Sequence, residues 1–250
     1  MTLVLILIFS TLGSVGAVLL AAALFLTRRD FSSRLKTIIL GYATGTLLGA
    51  AFLGMIPHAL EHLPSHAVLT TVLAGIIGFF ILEKLLVWRH CHEDDCHVHA
   101  QAGPLILIGD AFHNAIDGMA IALAFQQSWS LGIGTALAVI AHEIPQEIGD
   151  IMILIHHGWS RGRAVFYNVM ASLTTLLGAL LAYAIGNSVS GMAPYALAVS
   201  GASFIYIALA DLTPDHRTQT CFRATLLQVT SMAAGIGTII LVHALMRPGH

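Results

Sequence analysis

Two apolar stretches of this chain carry side chains that ligate cations. The first, GDAFHNAIDGMAIALAF over residues 109–125, holds Asp110, His113, Asn114 and Asp117. The second, AVIAHEIPQEIGDIMILI over residues 138–155, holds His142, Glu143, Gln146, Glu147 and Asp150. Neither stretch contains Lys or Arg. Ionisable groups inside an apolar span are costly and mark function. Acids and imidazoles without basic partners ask for a cation. Imidazole with carboxylate suits Zn²⁺, Fe²⁺ or Mn²⁺, whereas carboxylates alone would point to Mg²⁺ or Ca²⁺.

The spacing is helical. His113 and Asp117 are four apart, Asn114 and Asp117 three apart, and Asp110 lies one turn earlier. His142/Gln146 and Glu143/Glu147 are four apart, and Asp150 follows Glu143 by seven. Such offsets put each set on one stripe of a helix. At ~1.5 Å per residue, Asp117, His142 and Glu143 fall roughly 20 Å from the inner membrane boundary. Asn114 and Gln146 fall about 15 Å from it, and Asp110 and Asp150 about 9 Å. The rungs of the two helices match as a ladder from mid-membrane toward the cytoplasm. Pro145, inside the second stripe, removes one backbone donor and frees the carbonyl of Ala141. It is either an ordinary kink or a device that opens space for a metal and supplies an oxygen.

The elements that position these stripes are membrane helices. The chain of 250 residues is 57% hydrophobic and 10% charged, with mean hydropathy +0.84. An ordinary soluble domain is about a quarter charged. A spanning helix needs roughly 20 mainly apolar residues. Eight such spans are predicted, at 2–26, 37–60, 68–88, 104–125, 131–155, 163–185, 193–212 and 224–246. The first has no basic residues before it and reads as a retained helix, not a signal peptide. Net charge is −2, which suggests no nucleic-acid partner.

Basic residues orient the bundle. Arg28, Arg29, Arg34, Lys36, Lys84, Arg89, Arg161, Arg163, Arg217 and Arg223 fall on one side, and Arg247 alone falls on the other. By the positive-inside rule, both termini face outside. The three cysteines, Cys91, Cys96 and Cys221, then lie at cytoplasmic positions, where a disulfide framework is not expected. GAAF at 49–52 in the second span is echoed by GASF at 201–204 in the seventh, each with a proline beyond. Those spans run in opposite directions, as in an inverted repeat of spans 1–3 and 6–8 around spans 4 and 5.

The signatures Gly109-Asp110-x-x-His113-Asn114-x-x-Asp117-Gly118 and His142-Glu143-x-Pro145-Gln146-Glu147-x-Gly149-Asp150 resemble those of the ZIP (Zrt-, Irt-like) divalent metal transporters. The likeness is to the branch whose fifth helix reads HExPHExGD. It implies an all-α polytopic membrane protein of eight spans with both termini outside. It also implies zinc uptake into the cytoplasm through a binuclear site between spans 4 and 5, with iron, manganese or cadmium as alternative cargo. The family's ligand positions fall on His113, Asn114, Asp117, His142, Glu143 and Gln146, with Glu147, Asp110 and Asp150 toward the exit. Gln146 departs from the pattern, since that branch has His there. Gly54 stands where relatives carry His or Met in the second span, with Met55 and His58 nearby. In the sixth span, Asn168 and Ser172 read first as polar packing and second as lining.

Residues 1–250 read as one transmembrane domain, with 89–103 as a cytoplasmic His/Cys-rich loop. His90, Cys91, His92, Cys96, His97 and His99, among three acids, form a metal-binding composition but match no closed structural zinc site. On the outer side, His58, Glu61, His62 and His66 cluster after the second span. His156 and His157 extend the fifth-span stripe inward. No catalytic cofactor is expected, and the expected partners are divalent metal ions and the lipid bilayer, with a homodimer as the candidate assembly. The expected location is the cell membrane. An intramembrane zinc protease is the competing reading, because H-E-x-x-H places two zinc-binding His on one helical face. Here Gln146 replaces the second His and Pro145 interrupts the motif, so no enzyme is expected.

Overall fold

The structure is a computed structural model that describes residues 1–27, 32–88, 102–156, 158–186, 193–210 and 222–246. The His/Cys-rich loop up to residue 101, His157 and Pro214 lie outside the described residues. Every extended element described is helical, and the helices line up end to end as eight rods. The first rod is α1 (Thr2–Thr11) and α2 (Ala17–Thr27), joined by a π-helical turn at Leu12–Gly16. The second is α3 (Ser33–Ala50) and α4 (Ile56–His62), joined by a π-helical turn at Ala51–Met55. α5 (Ser65–Trp88), α6 (Ala102–Gln127) and α7 (Trp129–His156) are single rods. The sixth rod is α8 (Arg161–Ser172) and α9 (Thr174–Gly186), interrupted at Leu173. α10 (Ala193–Ala210) and α11 (Phe222–Met246) complete the set.

The predicted spans agree with these rods to within a few residues. The interruptions were not anticipated. At Ala51–Met55 the Ile56 N–H reaches the Ala51 carbonyl five residues back, and Pro57 follows at once, unable to donate. Single π-turns of this kind recur at functional sites. Among the described residues, six rods are long and apolar enough to cross a membrane by length and composition alone, and α6 and α7 are the rods outside that set. These are the rods that carry the candidate ligands. The outer surface of the bundle is apolar. Leu69, Leu177 and Leu241 are 59%, 65% and 56% exposed. A soluble monomer does not leave so continuous an apolar belt open to water.

The neighbour pairs follow the exchange that an inverted repeat requires. The second rod packs on the eighth and the third on the seventh; the fourth packs on the sixth and the fifth on the first; the fifth also meets the second, and the fourth the seventh. The eighth rod also touches the fifth without an equally extensive counterpart between third and fourth. The GAAF/GASF echo is weaker in space than in sequence. Phe204 is fully buried, whereas Phe52 is 55% exposed. The two aromatic positions therefore do different work.

Close backbone crossings set the geometry. A Cβ at Gly118 of α6 would collide with the Thr175 carbonyl oxygen of α9, and one at Gly178 of α9 with the Ala115 carbonyl oxygen of α6. Gly45 of α3 and Gly235 of α11 make the corresponding crossing against Met232 and Tyr42 backbone. Small residues at such points let helices approach in a membrane, where no hydrophobic force drives them together. α7 is ended sharply by Gly158, at φ 86°. Its N–H bonds the Ile155 carbonyl, and the Trp159 N–H bonds that of Leu154. That is the left-handed helix stop that glycine favours. Ser160 then caps α8 by accepting from the Arg163 N–H.

Candidate metal centre between α6 and α7

α6 and α7 pack against each other with their polar stripes inward. The helical offsets read from the sequence bring four of the nine candidates to one point. His113 and Asp117 come from α6, and His142 and Glu143 from α7. His113 Nε2 lies 3.1 Å from His142 Nε2, 3.7 Å from Asp117 Oδ2 and 3.6 Å from Glu143 Oε1. His142 Nε2 lies 3.0 Å from Asp117 Oδ2 and 3.7 Å from Glu143 Oε1. A tetrahedral Zn²⁺ with ligand bonds near 2.05 Å has donor-to-donor edges of about 3.3 Å. The observed separations bracket that edge.

Tautomer logic sharpens the point. His142 Nδ1 faces the Ala138 carbonyl oxygen at 2.9 Å, and a carbonyl only accepts. Nδ1 therefore carries the hydrogen, and in the neutral ring Nε2 presents a lone pair. That lone pair faces two carboxylate oxygens and a second imidazole. The carboxylate oxygens of Asp117 and Glu143 are buried and have no partner in hydrogen-bonding geometry among the described residues. Asp117, His142 and Glu143 are fully buried. Lone pairs converging in a low-dielectric interior repel unless a proton, as in the His113–His142 hydrogen bond, or a metal cation sits among them. The Ala138 carbonyl is the outer-shell partner that holds a ligating imidazole in orientation. The His142 ring also packs edge-on against Phe204 of α10, centroids 5.9 Å apart.

The remaining candidates form a separate layer, one turn along. Asn114 does not join the four donors. Its amide nitrogen donates to Asp110 Oδ1 at 2.8 Å and to the Asp110 carbonyl at 3.1 Å. Its oxygen accepts from Thr175 Oγ1 at 2.8 Å. Gln146, beside the Asp110 carboxylate, is likewise outside the upper group. Asp110 Oδ2 and both oxygens of the fully buried Glu147 have no hydrogen-bond partner among the described residues. Asp150 is half-buried at the end of the stripe. α7 runs as one helix through Pro145.

The structure adds residues that the sequence reading passed over. Thr174 Oγ1 donates to the Ala111 carbonyl of α6 at 2.6 Å, and Thr175 holds Asn114. The break at Leu173 coincides with these hydroxyl contacts, a recognised cause of helix bending. The signal was available: Asn168, Ser172 and Thr175 form an i, i+4, i+7 stripe that the sequence reading left at Ser172. Ser172 proves to be packing, since its hydroxyl donates to the Val169 carbonyl of its own helix at 3.0 Å. Asn168 is fully buried with neither amide atom partnered among the described residues. Phe204 had no local signal. Met55 is buried, and Gly54 sits against Leu131 and His243. The side chain of His156 lies outside the described residues.

The family model described as ZIP Zinc transporter matches residues 88–243, which contain both polar stripes. The chain belongs to the ZIP family. Among curated ZIP-related proteins, the zinc transporter foi of Drosophila melanogaster is 39% identical over 142 residues, 55% of this chain and 20% of foi. The zinc transporter ZIP4 of Mus musculus is 44% identical over 110 residues, 44% of this chain and 16% of that protein. The human zinc transporter ZIP10 is 31% identical over 140 residues, 51% of this chain and 17% of that protein. The matched part thus spans about a fifth of the length of these relatives. As a ZIP chain with six further apolar rods around its polar pair, this is a multi-pass membrane protein.

Removing the Thr175 hydroxyl tests whether the lower layer supports metal binding. Thr175→Val keeps the shape and takes away the bond to Asn114. Zn²⁺ affinity is expected to fall about tenfold, the size of effect seen when outer-shell partners are lost. Zn²⁺ titration of the purified protein checks it, and an unchanged affinity would make Thr175 a packing residue.

Proposed function

We propose that this protein carries a zinc-like divalent metal ion across the membrane toward the cytoplasm. The His113–Asp117–His142–Glu143 cluster is the transient site for that ion. The single observation that carries the reading is four side chains of ligand chemistry converging at near-tetrahedral spacing with no Lys or Arg among them. The lower layer of Asp110, Asn114, Gln146, Glu147 and Asp150 offers the ion its next donors, a second position toward the inner face. An uncharged amide at Gln146 weakens that position relative to an imidazole or carboxylate. This favours transit over retention and broadens the range of ions accepted.

Topology follows from the basic residues, ten of eleven of which fall on one side of the eight spans, and the direction of flux is inferred from the family likeness. Both termini then face outside, and the ladder runs from the cluster toward the cytoplasm. The described relatives are named zinc transporters, which supports zinc as the cargo. Metal and protons compete for the same imidazoles and carboxylates, so ion passage exchanges protons at the site. A protease needs the second His of H-E-x-x-H, and Gln146 does not supply it.

Reconstituted protein should accumulate ⁶⁵Zn²⁺ in liposomes faster than protein-free vesicles, with Cd²⁺, Fe²⁺ and Mn²⁺ competing to graded extents. Uptake no faster than in empty vesicles, in protein that still binds Zn²⁺, would overturn the transport reading.

A further inference from the structure

The four-residue cluster is not the only group on this chain with ligand spacing. α4 ends in His58-Ala59-Leu60-Glu61-His62. His58 and His62 are four apart and Glu61 is three from His58, so all three share a helical face. Two His at that offset form a metal-chelating pair on helices of zinc enzymes. One donor atom from each of His58, Glu61 and His62 lies within 4.8 Å of the others. His58 Nδ1 is 3.3 Å from Glu61 Oε2, and the His58 and His62 rings meet edge-on at 5.0 Å.

The second nitrogen of His58 is held from another helix. Nε2 lies 3.2 Å from Gln127 Oε1, at the end of α6. That amide oxygen only accepts, so Nε2 carries the hydrogen and the neutral ring aims the Nδ1 lone pair at the Glu61 carboxylate. Two lone-pair atoms 3.3 Å apart match the edge of a zinc tetrahedron, about 3.3 Å. They repel unless a proton or a metal cation lies between them. Gln127 thus acts toward His58 as Ala138 acts toward His142.

We propose that His58, Glu61 and His62 form a second site for a divalent transition-metal ion, with Gln127 as its positioning residue. The site differs from the buried cluster in exposure. The Glu61 side chain is 68% exposed and that of His58 21%. Water completes the coordination, and the ion exchanges freely. Gln127 stands ten residues beyond Asp117 on α6, roughly 15 Å at 1.5 Å per residue. The two sites are therefore separate, with α6 connecting them. Binding at α4 does not depend on the direction of transport. A loading role, in which α4 captures the ion before it enters the bundle, rests on the uptake reading above.

Zn²⁺ binding to the full-length purified protein, by equilibrium dialysis with metal analysis, separates the possibilities. The double variant His58→Ala/His62→Ala should bind one Zn²⁺ fewer per chain than the parent. Asp117→Asn/Glu143→Gln should still fill the α4 site, so failure of the buried cluster and failure of this site read differently. Gln127→Ala should weaken the α4 site about tenfold without removing it. Should the alanine pair fold poorly, Glu61→Gln/His62→Gln provides the same readout with less change of shape. Parent stoichiometry and affinity in the folded His58/His62 variant would overturn the site and leave an ordinary His–Glu ion pair. In liposomes, His62→Ala should raise the KM for Zn²⁺ about tenfold with the maximal rate retained. An unchanged KM in a variant that has lost the ion would overturn the loading role.

Discussion

Exchanging Asp117 for Asn and Glu143 for Gln together should lower Zn²⁺ transport by at least about 100-fold and leave the metal-free protein as stable as the parent or stabler. Losing outer-shell partners alone costs 10- to 100-fold in metal affinity, and these changes remove two anionic donors. The stability half is the more discriminating. If the cluster were a polar network that locks α6 to α7, breaking it would destabilise the bundle by several kcal/mol, because removing one partner of a buried pair strands the other. The geometry says otherwise. The carboxylate oxygens of both residues are buried without hydrogen-bond partners, and burying unpaired charge costs free energy. Neutral amides of the same shape relieve that cost. Thermal unfolding in detergent, with and without Zn²⁺, reads both halves. Zn²⁺ should stabilise the parent clearly more than the double variant, which has lost the buried cluster. A variant that unfolds earlier than the metal-free parent would turn the cluster into a structural element.

Gly178→Leu is expected to be among the most damaging single substitutions outside the candidate ligands. Its Cβ would meet the Ala115 carbonyl oxygen, which is backbone and cannot rotate away. Overpacking usually costs about 1–3 kcal/mol, and an obstacle made of backbone belongs at the upper end. For a chain of this size that corresponds to roughly 10 °C in the unfolding midpoint. Function should suffer further. Pushing α9 from α6 pulls Thr175 from Asn114 and Thr174 from the Ala111 carbonyl. Gly78→Leu and Gly237→Leu are the controls, since nothing lies within 4 Å of a Cβ at either position. Equal stability of Gly178→Leu and these controls would mean that the α6/α9 crossing is looser than described.

The membrane class and the grouping of His113, Asp117, His142 and Glu143 were legible because their signals are local. A run of apolar residues names a span, and offsets of three and four put His113 with Asp117 on one stripe. Antiparallel packing of neighbouring spans then brings His142 and Glu143 to the same level. Helical rise places Asn114 at the level of Gln146, but its partners are Asp110 and Thr175. Rise per residue fixes depth, and it says nothing about which direction a short side chain takes. Phe52 and Phe204 occupy like positions in the echoed tetrapeptides, yet Phe204 alone is buried, against His142.

What the sequence determined by itself was therefore periodic: a series of apolar helices, a polar stripe on two of them, and side-chain chemistry suited to a zinc-like ion. What the tertiary structure decided was convergence. Two helices approach because Gly118 and Gly178 offer no Cβ, and a bend at Leu173 swings Thr174 and Thr175 onto α6. Gln127 reaches across to His58. Each of these depends on contact between residues tens of positions apart in sequence, where helical spacing carries no information and packing alone chooses the partner.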